Sequence, residues 1–270
     1  MMKHGWPLLV LSIYTLPALA GDNGFTTSAW LGLSGTAFDY EEFDDRGVSL
    51  DREEGWLPGV KAGLNLEYDQ VLVETSLWWS AGRVDYTSRR VDTTTDEDIR
   101  NLEILAGTWF FTTDRLRAGL IAGGGYREWR RDILSTATAS GLDETYRWGY
   151  GLLGLRGEQA FNRETRVIAD LHFTRTLNPK VNVDFAGRFD DVSLALVEET
   201  GFRARLAIDW QLATAMTLWL APWYEYWELG RSADAELLRN GVSIGTVFEP
   251  RSETRNAGIT VGVIWRFDEI

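Results

Sequence analysis

No cysteine occurs in the 270 residues, so no disulfide framework staples this fold and no lipid-modified cysteine anchors it. After Gly21 no apolar run approaches the roughly 20 residues that a transmembrane helix needs. Histidine is nearly absent: beyond residue 20 only His172 occurs. Basic residues are outnumbered, 27 against 40 acidic ones, for a net charge of −13. Binding a phosphate backbone needs the opposite sign, so no nucleic-acid partner is expected. No loop spacing matches a calcium-binding motif, and no cofactor or metal is expected.

The first 20 residues are different in kind. Met1–Gly5 carries one lysine and no acid, Trp6–Pro17 is a short apolar core, and Ala18-Leu19-Ala20 has the small-x-small form of a cleavage site. This pattern predicts a secretory signal peptide over 1–20, removed after Ala20. The remaining residues, 21–270, are then one domain with 26 basic and 40 acidic side chains.

What the chain has in quantity is aromatic residues, glycine and alternation. Thirteen Trp, nine Tyr and 27 Gly suit a curved sheet wall with aromatic belts at two membrane interfaces. Period-2 alternation marks ten segments, roughly 25–40, 56–68, 71–87, 99–112, 115–130, 145–161, 165–177, 198–212, 215–231 and 254–267. In the eighth, Phe202, Ala204, Leu206, Ile208, Trp210 and Leu212 share one side, opposite Arg203, Arg205 and Asp209.

Connection lengths alternate as well. Asp69-Gln70, Thr113-Asp114, Asn162-Arg163-Glu164 and Ala213-Thr214 are tight turns, whereas 41–55, 88–98, 131–144, 178–197 and 232–253 are long and polar. Short turns at one end and long loops at the other predict an all-β fold: a transmembrane antiparallel up-and-down β-barrel of ten strands. The even count puts both chain ends at the periplasmic side.

One face of such a barrel is its lumen. The alternation places Lys61, Glu67, Glu74, Glu103, Arg117, Arg127, Arg156, Glu158, Asp170, Arg203, Arg205, Asp209 and Glu225 inside, with Trp30, Trp78, Trp109, Trp148, Trp219, Trp223 and Trp227. Buried charges need partners, so a salt-bridged network filling a narrow lumen is one reading. A small polar pore with a charged wall is the other.

The last strand carries the sharpest pattern. Ile259, Val261, Val263, Trp265 and Phe267 fall on one side, and Gly258, Thr260, Gly262 and Arg266 on the other. The spacing Thr260-x-Gly262-x-x-Trp265-x-Phe267 resembles the C-terminal signal by which barrel-assembly machinery recognises outer-membrane β-barrels of Gram-negative bacteria, except that Asp268-Glu269-Ile270 follow the aromatic residue. The ten strands, the length and the stretch Arg117-Ala-Gly-Leu-Ile-Ala-Gly-Gly-Gly-Tyr126-Arg-Glu-Trp-Arg130 look like the omptin-type barrel. That resemblance implies an outer-membrane location and an endopeptidase that activates water between an Asp pair and an Asp–His pair at the extracellular rim. Asp170-Leu-His172 and Asp96-Glu-Asp98 are the matching tripeptides here, and Asp170 and His172 are the catalytic candidates it supplies. Their placement argues against carrying the activity over, because Asp170 and His172 fall near the middle of a strand. The expected role is therefore structural or that of a narrow channel, with the peptidase as the alternative.

The acid runs Asp39 to Asp45, Asp51 to Glu54, Asp92 to Asp98 and Asp190-Asp191 read as a solvated outer surface. Divalent cations bridging them to lipopolysaccharide are a second reading. Arg89-Arg90 and Arg130-Arg131, near the outer strand ends, are candidates for contact with lipid phosphates.

Overall fold

The computed structural model describes residues 25–267; the segment 1–20 read as a signal peptide, and Asp268-Glu269-Ile270, lie outside them. The strands are β1 (Phe25–Phe43), β2 (Ser49–Tyr68), β3 (Val71–Ser88), β4 (Asp92–Thr112), β5 (Leu116–Ile133), β6 (Leu142–Ala160), β7 (Thr165–Asp184), β8 (Val192–Ala195), β9 (Thr200–Ala213), β10 (Met216–Leu229), β11 (Ala235–Arg239), β12 (Val242–Val247) and β13 (Arg251–Arg266). The sheet runs β6-β5-β4-β3-β2-β1-β13-β10-β9-β7, and β6 pairs with β7 to close it. Every pairing is antiparallel, so β1–β7, β9, β10 and β13 form a closed ten-stranded up-and-down barrel. Closure leaves no sheet edge, the condition for a β-structure in a hydrocarbon layer.

The inside-outside alternation follows the sequence pattern. Leu31, Leu33, Leu102, Ile104, Phe173 and Val261 are among many apolar side chains left exposed on the outer wall. On each strand this outer band covers the half that ends in a short turn. Above it the outer positions turn charged: Arg83 holds Asp96 at 2.6 Å, Arg130 and Arg147 hold Glu128 at 2.7 and 2.8 Å, and Arg251 holds Glu228 at 3.0 Å.

The strands are longer than the alternation suggests, and this corrects the expected loops. Spans of 18–21 residues in β1 to β7 exceed the 9–11 that cross a bilayer. The ladder simply continues beyond the apolar band, where both faces carry polar residues and a hydrophobic period is invisible. Most of 41–55 and 88–98 is therefore strand, and 232–253 contains the hairpin β11–β12. Arg251, expected in a loop, opens β13.

Near Asn178 the β6–β7 register shifts, and Asn178 takes a left-handed φ of 49°. Asparagine tolerates that conformation better than most residues. Below this point β7 pairs with β9; above it β7 pairs with β8.

Candidate functional site

The lumen is the place where unlike side chains converge, and it has tiers. At the short-turn end, five charges link across strands. Arg117 donates to Glu67 and, at 2.6 Å, to Glu158. Arg166 donates to Glu158 at 3.3 Å and to Asp209 at 2.8 Å.

One level up, Arg156 bridges Glu74 at 3.0 Å and Asp170 at 2.7 Å, and Arg205 Nε donates to Asp170 at 2.7 Å. Arg203 donates to Glu103, which also accepts from Tyr150 at 2.7 Å. Arg127 spans the barrel to Glu225, whose Oε1 takes a further bond from Asn256 at 2.9 Å. Each of Glu103, Arg117, Arg127, Arg156, Glu158, Arg203, Arg205 and Asp209 thus faces inward and has a partner of opposite charge. Arg166 was not singled out from the sequence, because it sits one residue into β7, next to a turn.

Above these charges, rings and aliphatic groups are buried inside the barrel. Phe38, Leu57, Val84, Ile99, Trp129, Trp148 and Trp227 are each at most 3% exposed. Tyr150 meets Trp227 edge-on at 5.1 Å, and Trp129 stacks on Tyr146 at 4.9 Å. A gap among Phe38, Ile99, Trp129, Trp148, Trp227 and Asn256 has a volume of about 10 Å³, room for at most one water.

The top tier, beside the long loops, gathers carboxyl groups around one guanidinium. Arg131 is wholly buried and reaches Glu53 at 3.0 Å, Glu144 at 2.8 Å and Glu42 at 3.2 Å. It also donates to the hydroxyls of Tyr40 and Tyr146 at 3.2 and 3.1 Å. Glu97 accepts from Trp129 Nε1, and Glu249 accepts from the Tyr146 hydroxyl. Glu249 lies in the connection before β13, and burial pushes its carboxyl well above the ordinary range, with Glu144 and Glu42 adding to the effect. Two expectations are corrected here. Arg131 faces the lumen and not lipid phosphate, and Glu42 and Glu53 are buried and not part of a solvated acid surface. Arg89 and Arg90 remain exposed. The alternation of one strand cannot reveal this tier, since Asp51-Arg52-Glu53-Glu54 is charged on both faces.

The residues matched to the peptidase pattern are far from that arrangement. Asp170 has both oxygens engaged by Arg156 and Arg205. His172 is 8% exposed, its Nε2 lacks a hydrogen-bond partner, and its ring lies against Gly154, which stands opposite in register. A Cβ on Gly154 would come within 2.2 Å of the ring. Asp96 and Asp98 lie on β4, facing outward and paired with Arg83 and Arg100. They sit at the charged level above the apolar band, outside the wall that encloses His172.

In the final strand, Trp265 and Phe267 point outward and are 41% and 45% exposed. Thr260 faces inward and accepts from Trp223 Nε1 at 3.1 Å. Gly262 leaves the space in which Trp219 and the Leu31 carbonyl approach; an added Cβ would lie 2.3 Å from that oxygen.

No protein-family model matches the chain, and no curated protein matches it in sequence. Solved structures do match. The outer membrane protease OmpT from Escherichia coli superposes with a TM-score of 0.63 at 12% identity, over 91% of this chain and 97% of that one. The outer membrane protein OprG from Pseudomonas aeruginosa gives a TM-score of 0.45 at 12% identity, over 92% and 98%. Ail, the attachment invasion locus protein of Yersinia pestis, gives 0.37 at 11%, over 89% and 99%. At such identities the likeness to OmpT is one of fold: this chain has the architecture of a Gram-negative outer-membrane β-barrel.

Proposed function

We propose that this chain spans the bacterial outer membrane as a closed barrel, with its long loops outside the cell and no continuous path for solutes. Its role is then structural or surface-presenting. The observation that carries this reading is the layer of side chains from Phe38 to Trp227, capped by the Arg131 cluster, which leaves a gap of about 10 Å³. A narrow ten-stranded barrel has little lumen to spare once such side chains enter it. Planar-bilayer recording tests the reading. The purified barrel is expected to give a flat baseline; stable conductance steps that change ion selectivity in Arg203→Leu would replace it with the narrow-channel reading.

The peptidase alternative is supported by overall architecture only. Among the described residues no second carboxylate pair meets His172, and general-base catalysis needs contact at about 3 Å. Cleavage of a basic peptide library by the folded barrel, lost in His172→Ala, would revive it.

The partners that follow are membrane lipid and lipopolysaccharide at the outer wall, and the barrel-assembly machinery during biogenesis. Support for the first is the ring of arginines and carboxylates just above the apolar band, since guanidinium groups suit phosphate. Support for the second is the outward pair Trp265 and Phe267, with Thr260 and Gly262 behind them. The N-terminal segment is read as the cleaved export signal.

A further inference from the structure

Lys61 is placed where a cation without an anion is costly. Its ammonium lies 3.8 Å from the ring centre of Trp223 and 4.6 Å from that of Trp78. Among the described residues it makes no ion pair. Glu225, the acid whose charge reaches it, is held by both terminal nitrogens of Arg127 and by Asn256. The next strongest charges acting on Lys61 are Arg203, Arg205 and Arg127, all of the same sign. Register explains the crowding: Trp223 stands opposite Arg205, and Glu225 opposite Arg203, so the side chain of Lys61 reaches across the lumen to the wall that carries both arginines.

Exposure separates the signs. The side chains of Arg203 and Arg205 are 19% and 36% exposed, while their acids Glu103 and Asp170 are 8% and 2% exposed. The arginine side chains are thus nearer to solvent than the carboxylates that pair with them. Lower down, Arg117, Arg166 and Glu67 are exposed by 25 to 32%, whereas Arg131 and Glu53 at the other end are at 0%. Solvent thus reaches this tier from the short-turn end. Two ring contacts offset only part of what an ammonium loses on leaving water, because neither ring carries a countercharge.

We propose that the lower lumen is a binding site for a small oxyanion of the phosphate or sulfate class, centred on Lys61 and completed by Arg203 and Arg205, and entered from the periplasmic end. The anion supplies the counter-charge that Lys61 lacks. The entry side rests on the membrane orientation proposed above; the site itself does not require the lumen to be closed.

The test uses the full barrel in detergent micelles, with inorganic phosphate as the probe at constant ionic strength. Calorimetry should detect one phosphate per barrel. Lys61→Met should weaken binding by about tenfold or more, whereas Lys61→Arg should retain it. Without phosphate, Lys61→Met should melt higher than the natural protein, because an unpaired charge has gone. With phosphate, the midpoint of the natural protein should rise and that of the variant should not. Heat-modifiable migration on gels reports that each variant has folded; if Lys61→Met does not fold, Arg205→Gln, which should also weaken phosphate binding, serves for the binding comparison alone. Absent binding, or equal binding by the natural protein and a folded variant, overturns the proposal. Phosphate binding by a barrel that conducts would overturn the closed-lumen reading alone.

Discussion

Arg127 and Glu225, 98 residues apart in sequence, meet inside the barrel through two parallel hydrogen bonds of 3.0 Å. Each side chain is 3% exposed. Arg127 also lies 4.9 Å from the Trp227 ring centre and 5.0 Å from that of Trp78. A bidentate pair of this kind joins β5 to β10 across the lumen, where neither strand hydrogen-bonds to the other.

Breaking that pair on one side leaves a buried charge alone. Arg127→Leu is expected to destabilise the barrel by about 3–5 kcal/mol, and the double variant Arg127→Leu/Glu225→Leu by clearly less. Urea unfolding in micelles measures both. Arg251→Leu, whose side chain is 34% exposed, should shift the midpoint by about 1 kcal/mol or less. Equal effects for Arg127→Leu and Arg251→Leu would mean that water screens the lumen as it screens the outer wall.

Glu249 sets a pH dependence. Burial raises its carboxyl well above 4.5, so the folded state keeps a proton that the unfolded state releases. Its contribution is complete below the unfolded value and is lost as pH rises through the folded one. Stability is therefore expected to fall as pH rises above the ordinary carboxylate range, and Glu249→Gln should flatten that slope. Midpoints of urea unfolding across the range measure it; an unchanged slope in the variant would remove Glu249 as the cause.

Orientation gives a topological prediction. An epitope tag within 134–141, the connection between β5 and β6, should be labelled on intact cells. A tag within 162–164, the turn between β6 and β7, should not. Labelling of the second without permeabilisation would invert the barrel in its membrane.

The final strand predicts an assembly phenotype. Phe267 is exposed on the outer wall and supports no core contact, so Phe267→Ala should leave the melting temperature of barrels that do form nearly unchanged. It should lower the yield of heat-modifiable protein in the outer-membrane fraction. A lowered melting temperature with normal yield would assign the residue to stability instead.

The alternation of Phe202 to Leu212 and of Ile259 to Phe267, and the tight turns at Asp69-Gln70 and Ala213-Thr214, were enough to derive strands, faces, connectivity and the inward list from Lys61 to Glu225. These are local properties: a side chain's face depends on its parity within one strand, and a turn on two or three residues. The upper barrel was not legible. There Glu53, Glu97 and Arg131 alternate with charged neighbours, so parity carries no hydrophobic signal. Which charge meets which was not legible either. Arg131 and Glu53 are 78 residues apart, and Arg127 and Glu225 98. Such partners are chosen by barrel curvature and strand stagger, which no single strand encodes. By itself the sequence determined that this chain closes into a barrel with charge inside; tertiary structure alone decided which charges pair, that aromatic rings pack above them, and that Lys61 makes no ion pair among the described residues.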